Sequence, residues 1–101
     1  MFFHLHFLKR PRTMRMLDRV IYAVGVIGPL FTIPQLVKIY YLQDASGVSA
    51  ISWGAYALSD IPWILYGMAH REGPITFTYS LWLVFNTLVF VGTLIYSPQP
   101  F

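Results

Sequence analysis

The sequence predicts an all-α membrane protein, a bundle of three transmembrane helices. Of the 101 residues, 56% are apolar and 11% are charged, and the apolar residues fall in three long stretches. A soluble domain of this length could not cover its surface with so few charges, since an ordinary chain is about 25% charged. A disordered chain is excluded because too much of the sequence is apolar. We therefore expect lipid to surround most of the chain.

Each apolar stretch has about the 20 residues that a helix needs to cross a bilayer. The predicted spans are 20–41, 48–68 and 74–96. Short polar connections at 42–47 and 69–73 contain turn-forming residues. The helices are therefore expected to run up, down and up through the membrane.

Both ends of the chain differ from this membrane domain, which covers residues 18–96. Residues 1–17 form a basic extension that we expect to be flexible, and 97–101 form a short tail. The first span could instead be a signal peptide, but it lacks a cleavage site between small residues and is too long. His4 and His6 have no third ligand near them in the sequence, so we predict no metal site.

The basic residues are concentrated near the N-terminus, with five of the seven in the first nineteen positions. This is the pattern of a charged flank beside a membrane helix, so we expect no nucleic-acid partner. The positive-inside rule then places the N-terminus in the cytoplasm. The chain has no cysteine, no pairing of a nucleophile with a base and no phosphate-binding loop, which argues against an enzyme and against a cofactor.

Polar and helix-breaking residues lie inside all three spans, where contact with lipid would be costly. Three helices are too few to enclose an aqueous path, so we expect a homodimer of six helices, with two-fold symmetry. In the first span, Pro29 and Pro34 each remove a backbone hydrogen bond and should bend the helix at two places. A bent helix can serve as a hinge at Pro34 and Gln35, or the prolines can simply shape the packing.

Two polar and aromatic stripes are predicted on the second and third helices. A rise of about 1.5 Å per residue, counted from the loop between them, places their members in common layers. The layers are Trp63 with Tyr79, Asp60 with Trp82, and Tyr56 with Asn86. Rings and hydrogen-bonding groups of this kind line pockets for small polar solutes, although aromatic residues also serve helix packing.

Asp60 is the acidic residue that lies deepest in a predicted span. An ionised carboxylate near the centre of a bilayer costs about 2.5 kcal/mol or more. The side chain should therefore be protonated, paired or hydrated. It either takes up a proton during transport or, as a neutral carboxyl, bonds another helix.

Three short segments occur in a distinctive order: FTIPQLVKIY at 31–40, ASGVS at 45–49 and WILYG at 63–67, followed by an asparagine in the third helix. Together they resemble the bacterial SemiSWEET transporters of the PQ-loop group, over residues 17–96. The resemblance implies a parallel homodimer of three-helix units that moves sugars passively by alternating access. The Pro34–Gln35 pair would be its hinge.

The resemblance also implies roles for site residues. The family's pocket tryptophan matches Trp63, but its sugar-binding asparagine, sixteen residues later, is replaced here by Tyr79. Asn86, two turns deeper, would then supply the amide. The family's N-terminus lies outside the cell, opposite to the charge count. The family's outer gate would fall on Tyr66, His70 or Arg71, and Glu72.

We therefore predict a homodimeric membrane transporter of a sugar or a similar small polar solute, in the inner membrane if the source is bacterial. The predicted substrate-binding residues are Trp63, Tyr79, Trp82, Asn86, Asp60 and Tyr56. One alternative is a proton-coupled PQ-loop carrier of another solute, such as an amino acid, which would require Asp60. Another is a membrane assembly subunit without a solute path, which would tolerate truncation of Trp63 or Asn86.

Overall fold

The computed structural model describes residues 10–101, and every regular element in that range is helical. The elements are α1 (Arg12–Leu30), α2 (Ile33–Leu36), a π-helical segment (Val37–Tyr41), α3 (Ala50–Ala69) and α4 (Gly73–Tyr96). Residues 12–17 of the predicted extension belong to α1. The remainder of the extension up to Lys9, including His4 and His6, lies outside the described residues.

Most large apolar side chains of the described residues lie on the outside of the bundle. The fully buried apolar residues there are Ile39, Ala45, Ala50 and Val89. Leu58 on α3, in contrast, is 70% exposed. Two helical segments, Arg12–Tyr41 and Gly73–Tyr96, are long and apolar enough to cross a membrane, and α3 is not one of them. An apolar exterior of this kind is expected where lipid is the solvent.

The last long helix, α4, packs against both of the other long helices. Glycines allow the close approach: Gly28 of α1 lies against the indole of Trp82, and Gly54 of α3 lies against the ring of Phe90. Small residues at helix crossings are typical of packing within membranes. The order across the bundle is therefore α1, α4, α3, which differs from the order along the chain.

The first membrane-capable segment has a single break, at Phe31 and Thr32. The sequence predicts two bends instead, one at each proline. Pro29 cannot donate a hydrogen bond to the carbonyl four residues before it, and α1 ends one residue later. Pro34 lies in the first turn of α2, where a backbone N–H has no helical partner to lose. The two prolines therefore lie on either side of a single interruption.

The π-helical segment after α2 is attached to α4. Its widened turn is closed by the N–H of Leu42, which donates to the carbonyl of Val37 at 3.3 Å. The Tyr40 hydroxyl donates to the carbonyl of Leu88 on α4 at 2.6 Å. The part of the first segment that follows the break is thus held against α4.

The connection before α3 is ordered by side-chain hydrogen bonds. The Asp44 Oδ1 atom accepts from the N–H and the hydroxyl of Ser46, at 2.9 and 2.6 Å, and these bonds lower the pKa of Asp44. Ser49 caps α3 by accepting from the N–H of Ser52 at 3.2 Å. The C-terminal tail contributes as well, because the N–H of Ala50 donates to the carbonyl of Pro100 at 2.8 Å.

Candidate functional site

Trp63 of α3 and Tyr79 of α4 form a stacked aromatic pair. Their ring centroids are 5.3 Å apart, and the angle between the ring planes is 11°. The short α3–α4 connection makes the two helices antiparallel neighbours, which brings these residues into one layer as the depth count predicts. Trp63 is 47% exposed, so much of its indole is open to contact from outside the chain.

Asp60 and Asn86 form a buried polar pair between the same two helices. Asn86 Nδ2 donates to Asp60 Oδ2 at 2.9 Å, and the two residues are 5% and 4% exposed. Among the described residues, Asn86 Oδ1 has no hydrogen-bond partner. An unused acceptor at such a buried place is costly. The pair is therefore a site that lacks one hydrogen-bond donor.

Asp60 and Trp82, which are expected at the same depth, have different partners in the structure. At 3.6 residues per turn, Trp82 lies about 60° around α4 from Tyr79. It therefore faces α1, where its indole covers Gly28. Trp82 fills the α1–α4 contact, and Asp60 bonds the amide one turn further along α4.

Tyr56 and Asn86, also expected at the same depth, likewise have different partners. Tyr56 is 51% exposed on α3. Its ring meets the indole of Trp53 edge to face, with the ring centroids 5.5 Å apart and the planes at 77°. Because the two residues are three positions apart on one helix, they contact each other along α3 instead of reaching α4.

The predicted hinge residues lie on either side of the break in the first segment. Pro29 is fully buried near the end of α1, and Pro34 is exposed at the start of α2. Gln35 is half-buried, and its Nε2 atom has no hydrogen-bond partner among residues 10–101. An unsatisfied buried polar group therefore lies next to the break.

Three of the predicted gate residues lie in two separate contacts at the loop end of α3. The rings of Tyr66 and His70 are 4.3 Å apart between centroids, with their planes tilted by 32°. Glu72 forms an ion pair with Arg10. Arg71 is exposed and has a left-handed backbone with φ of 57°, which ends the turn after α3. The structure does not bring all of these side chains into one cluster.

Sequence reasoning misses Arg10 and Asp18 as members of this end of the molecule. Arg10 Nη1 donates to Asp18 Oδ1 at 2.9 Å and to Asp18 Oδ2 at 3.2 Å, in addition to the ion pair with Glu72. Arg10 thereby links the segment before α1, α1 itself and the α3–α4 connection. The sequence contains one indication of this ion pair, because Asp18 is the single acidic residue among the first nineteen.

Comparison with known proteins gives one informative relative. The sugar transporter SemiSWEET of Vibrio sp. (strain N418) is 28% identical to this chain over 88 residues, which cover 85% of this chain and 91% of the relative. This similarity over most of both chains supports a divergent member of the SemiSWEET family. No protein-family model and no solved structure matches it.

The chain is an integral membrane protein, as its similarity to this transporter and its two membrane-capable segments indicate. Along α3, the groups described above follow one another towards the loop. Asp60 comes first, Trp63 lies one turn later and Tyr66 begins the following turn. A buried polar pair, an open aromatic pair and a loop-end pair thus occupy successive turns of one helix.

Proposed function

We propose that this SemiSWEET protein moves a sugar, or a polar solute of similar size, across the membrane by alternating access. The observation that carries the proposal is the half-open stack of Trp63 on Tyr79, one turn from the buried carboxylate of Asp60. Aromatic rings pack on the apolar faces of a sugar, and nearby polar groups bond its hydroxyls. The name of the Vibrio relative, a sugar transporter, supports the same substrate class.

A second copy of the chain would complete the site. Tyr56, Trp63 and Tyr66 of α3 are all about half exposed, so one chain covers only one side of a solute bound beside them. A two-fold axis would place two such faces opposite each other. We therefore include in the proposal a parallel homodimer of three-helix units, in which α3 crosses the membrane beside α1 and α4.

Alternating access requires part of each copy to move. The break between α1 and α2 lies between Pro29 and Pro34 and provides a point of rotation. Tyr40 holds the part after the break against α4, so the proposed movement is a change in the angle of α1, which would shift the contact of Gly28 with Trp82. At the other end of α1, the ion pair of Arg10 with Glu72 would hold one entrance closed.

Uptake of labelled solutes into proteoliposomes tests this function. We expect wild-type protein to equilibrate at least one sugar, and Trp63→Ala to lower the initial rate by about tenfold through loss of stacking and contact area. Tyr41→Ala is the matched control, because it truncates an aromatic side chain that is 82% exposed outside the site. Equal loss in both variants would contradict a pocket at Trp63.

The choice of solutes separates the alternatives. A panel of sugars and amino acids is offered in parallel to the same vesicles. Uptake of an amino acid without any sugar would favour a PQ-loop carrier of another solute. No uptake of any solute would favour a membrane assembly subunit. Crosslinking in mild detergent tests the homodimer separately, and a purely monomeric protein would contradict it.

A further inference from the structure

Three arginines lie on one face of α1 near its start. Arg12, Arg15 and Arg19 are separated by three and four positions, so their side chains leave the helix on the same side. Together with Met16 they line a cleft of about 390 Å³. Arg12 and Arg19 are exposed, and Arg15 is half-buried. We call these three arginines the arginine face.

The cleft carries an excess of positive charge. Its lining contains no carboxylate among the described residues. Asp18 is the single acidic residue of α1, and Arg10 already bonds both of its carboxylate oxygens, at 2.9 and 3.2 Å. Asp18 is also buried, whereas Arg12 and Arg19 are exposed. A ligand for the cleft should therefore be an anion.

The same side of α1 becomes apolar further along the helix. Ala23, Val26 and Leu30 continue the spacing of three and four positions after the arginine face, and all three are exposed. The fourth helix, α4, contacts the other side of α1 through Gly25 and Gly28. We call the three exposed residues the apolar track. One side of a single helix thus presents an arginine face followed by an apolar track.

The length of the segment places these two parts at different depths in the bilayer. Arg12–Tyr41 has 30 residues, which at about 1.5 Å per residue gives a length of about 45 Å. The hydrocarbon core of a bilayer is about 30 Å thick, and the bilayer with its headgroup regions is about 40–45 Å thick. The arginine face, at the beginning of the segment, therefore lies among the headgroups, and the apolar track lies in the hydrocarbon.

We propose that this side of α1 is a binding site for a phospholipid with an anionic headgroup. The arginine face holds the phosphate, because planar guanidinium groups bind phosphate oxygens through paired hydrogen bonds. One acyl chain lies along the apolar track. A zwitterionic lipid would bring its own cation close to the arginines, so an anionic lipid is preferred. The site depends on the membrane location of the chain and not on the proposed transport.

A second copy of the chain is a poorer occupant of this side of α1. In a parallel dimer, the same end of both copies lies at the same depth. Contact through the arginine face would then bring the guanidinium groups of both copies together, and like charges repel. A phospholipid matches the surface in both of its parts, since its headgroup is negative and its chain is apolar.

Native mass spectrometry tests the site. The protein is titrated in an uncharged detergent with phosphatidylglycerol and, in parallel, with phosphatidylcholine that has the same acyl chains. We expect the wild type to bind phosphatidylglycerol more tightly. Arg15→Gln should weaken this binding by about fivefold, and the triple variant Arg12→Gln/Arg15→Gln/Arg19→Gln by about a hundredfold. Arg15→Lys, which keeps the charge but loses the paired donors, should lie between the wild type and Arg15→Gln.

Lys38→Gln is the matched control. It removes one positive charge at the other end of the bundle, beside the carbonyl of Ser46, and should leave phosphatidylglycerol binding unchanged. An equal loss in Lys38→Gln and Arg15→Gln would overturn the proposal, since net charge alone would then decide binding. A triple variant with wild-type helix content by circular dichroism and an unchanged preference for phosphatidylglycerol would overturn it as well.

Two further outcomes would identify a different occupant. Displacement of phosphatidylglycerol by an excess of inorganic phosphate would indicate a site for free phosphate that does not need an acyl chain. A shift of the triple variant between dimer and monomer, with unchanged lipid binding, would show that a second copy covers this side of α1. Either result would overturn the assignment of a lipid, and retention of phosphatidylglycerol in excess phosphate would support it.

Discussion

The indole of Trp63 and the phenol ring of Tyr79 lie nearly parallel across the contact between α3 and α4, with 11° between their planes. In the SemiSWEET transporters that the sequence resembles, an asparagine occupies the position of Tyr79 and would offer hydrogen bonds there. The tyrosine offers an extended ring surface instead. The proposed pocket is therefore expected to bind its solute by stacking more than by hydrogen bonding at this layer.

Variants of Tyr79 separate these two contributions. Tyr79→Phe keeps the ring, so we expect the KM for uptake to change by less than about threefold. Tyr79→Ala removes a stacking interaction of about 0.5–1.5 kcal/mol, and the KM should rise by up to about tenfold. The concentration dependence of initial uptake rates measures both. A Phe variant as weak as the Ala variant would show that the hydroxyl is the important group.

Loss of one partner from the buried polar pair should be more damaging than loss of both. Asn86→Leu leaves the Asp60 carboxyl buried without its hydrogen bond, so we expect about 2–3 kcal/mol lower stability. The double variant Asp60→Leu/Asn86→Leu removes both polar groups and should recover most of this loss. Thermal unfolding in detergent measures the series. Additive losses in the double variant would contradict a direct interaction.

Close packing at Gly54 predicts a destabilising alanine substitution. A Cβ atom at this position would lie 2.9 Å from two ring carbons of Phe90, which is too close for an ordinary contact. Gly54→Ala should therefore cost about 1–3 kcal/mol by overpacking the α3–α4 contact. Phe90→Leu removes the obstructing ring, so the double variant should be less affected by the added methyl group. If the alanine cost is the same in both backgrounds, the clash is not its cause.

The ion pairs of Arg10 predict a stability that depends on salt. Arg10→Met leaves Asp18 and Glu72 without this cation, and we expect a loss of about 1–2 kcal/mol because the groups are only partly exposed. Added salt should lower the melting temperature of the wild type more than that of the variant. Arg12→Met, at an exposed position, serves as the control. Identical salt dependence in all three proteins would argue against the cluster.

Several features of the fold could be predicted from the sequence because they depend on local composition. Long apolar stretches predict the helical segments, and the short loop at 69–73 predicts antiparallel neighbours. Counting residues from this loop along the two helices then places Trp63 and Tyr79 at the same depth. Depth does not specify the direction around the helix axis, however, so it does not predict that Asp60 bonds Asn86 while Trp82 faces α1.

Other features depend on contacts between distant parts of the chain. The position of α4 between α1 and α3 follows from matched glycines and aromatic rings, which no single helix pattern reveals. The link from Arg10 to Glu72 joins residues 62 positions apart. A charge count assigns Arg10 to the flank as a whole and gives no indication of an individual partner.

The central position of α4 has a consequence for biosynthesis. The two helices that precede it make their main contacts with α4, so neither can be buried against its final partner while α4 is still being synthesised. The contacts of Gly28 with Trp82 and of Gly54 with Phe90 can form only after α4 has been made. Assembly of this bundle must therefore follow synthesis of its last long helix, and a chain interrupted before α4 would leave α1 and α3 without their common partner.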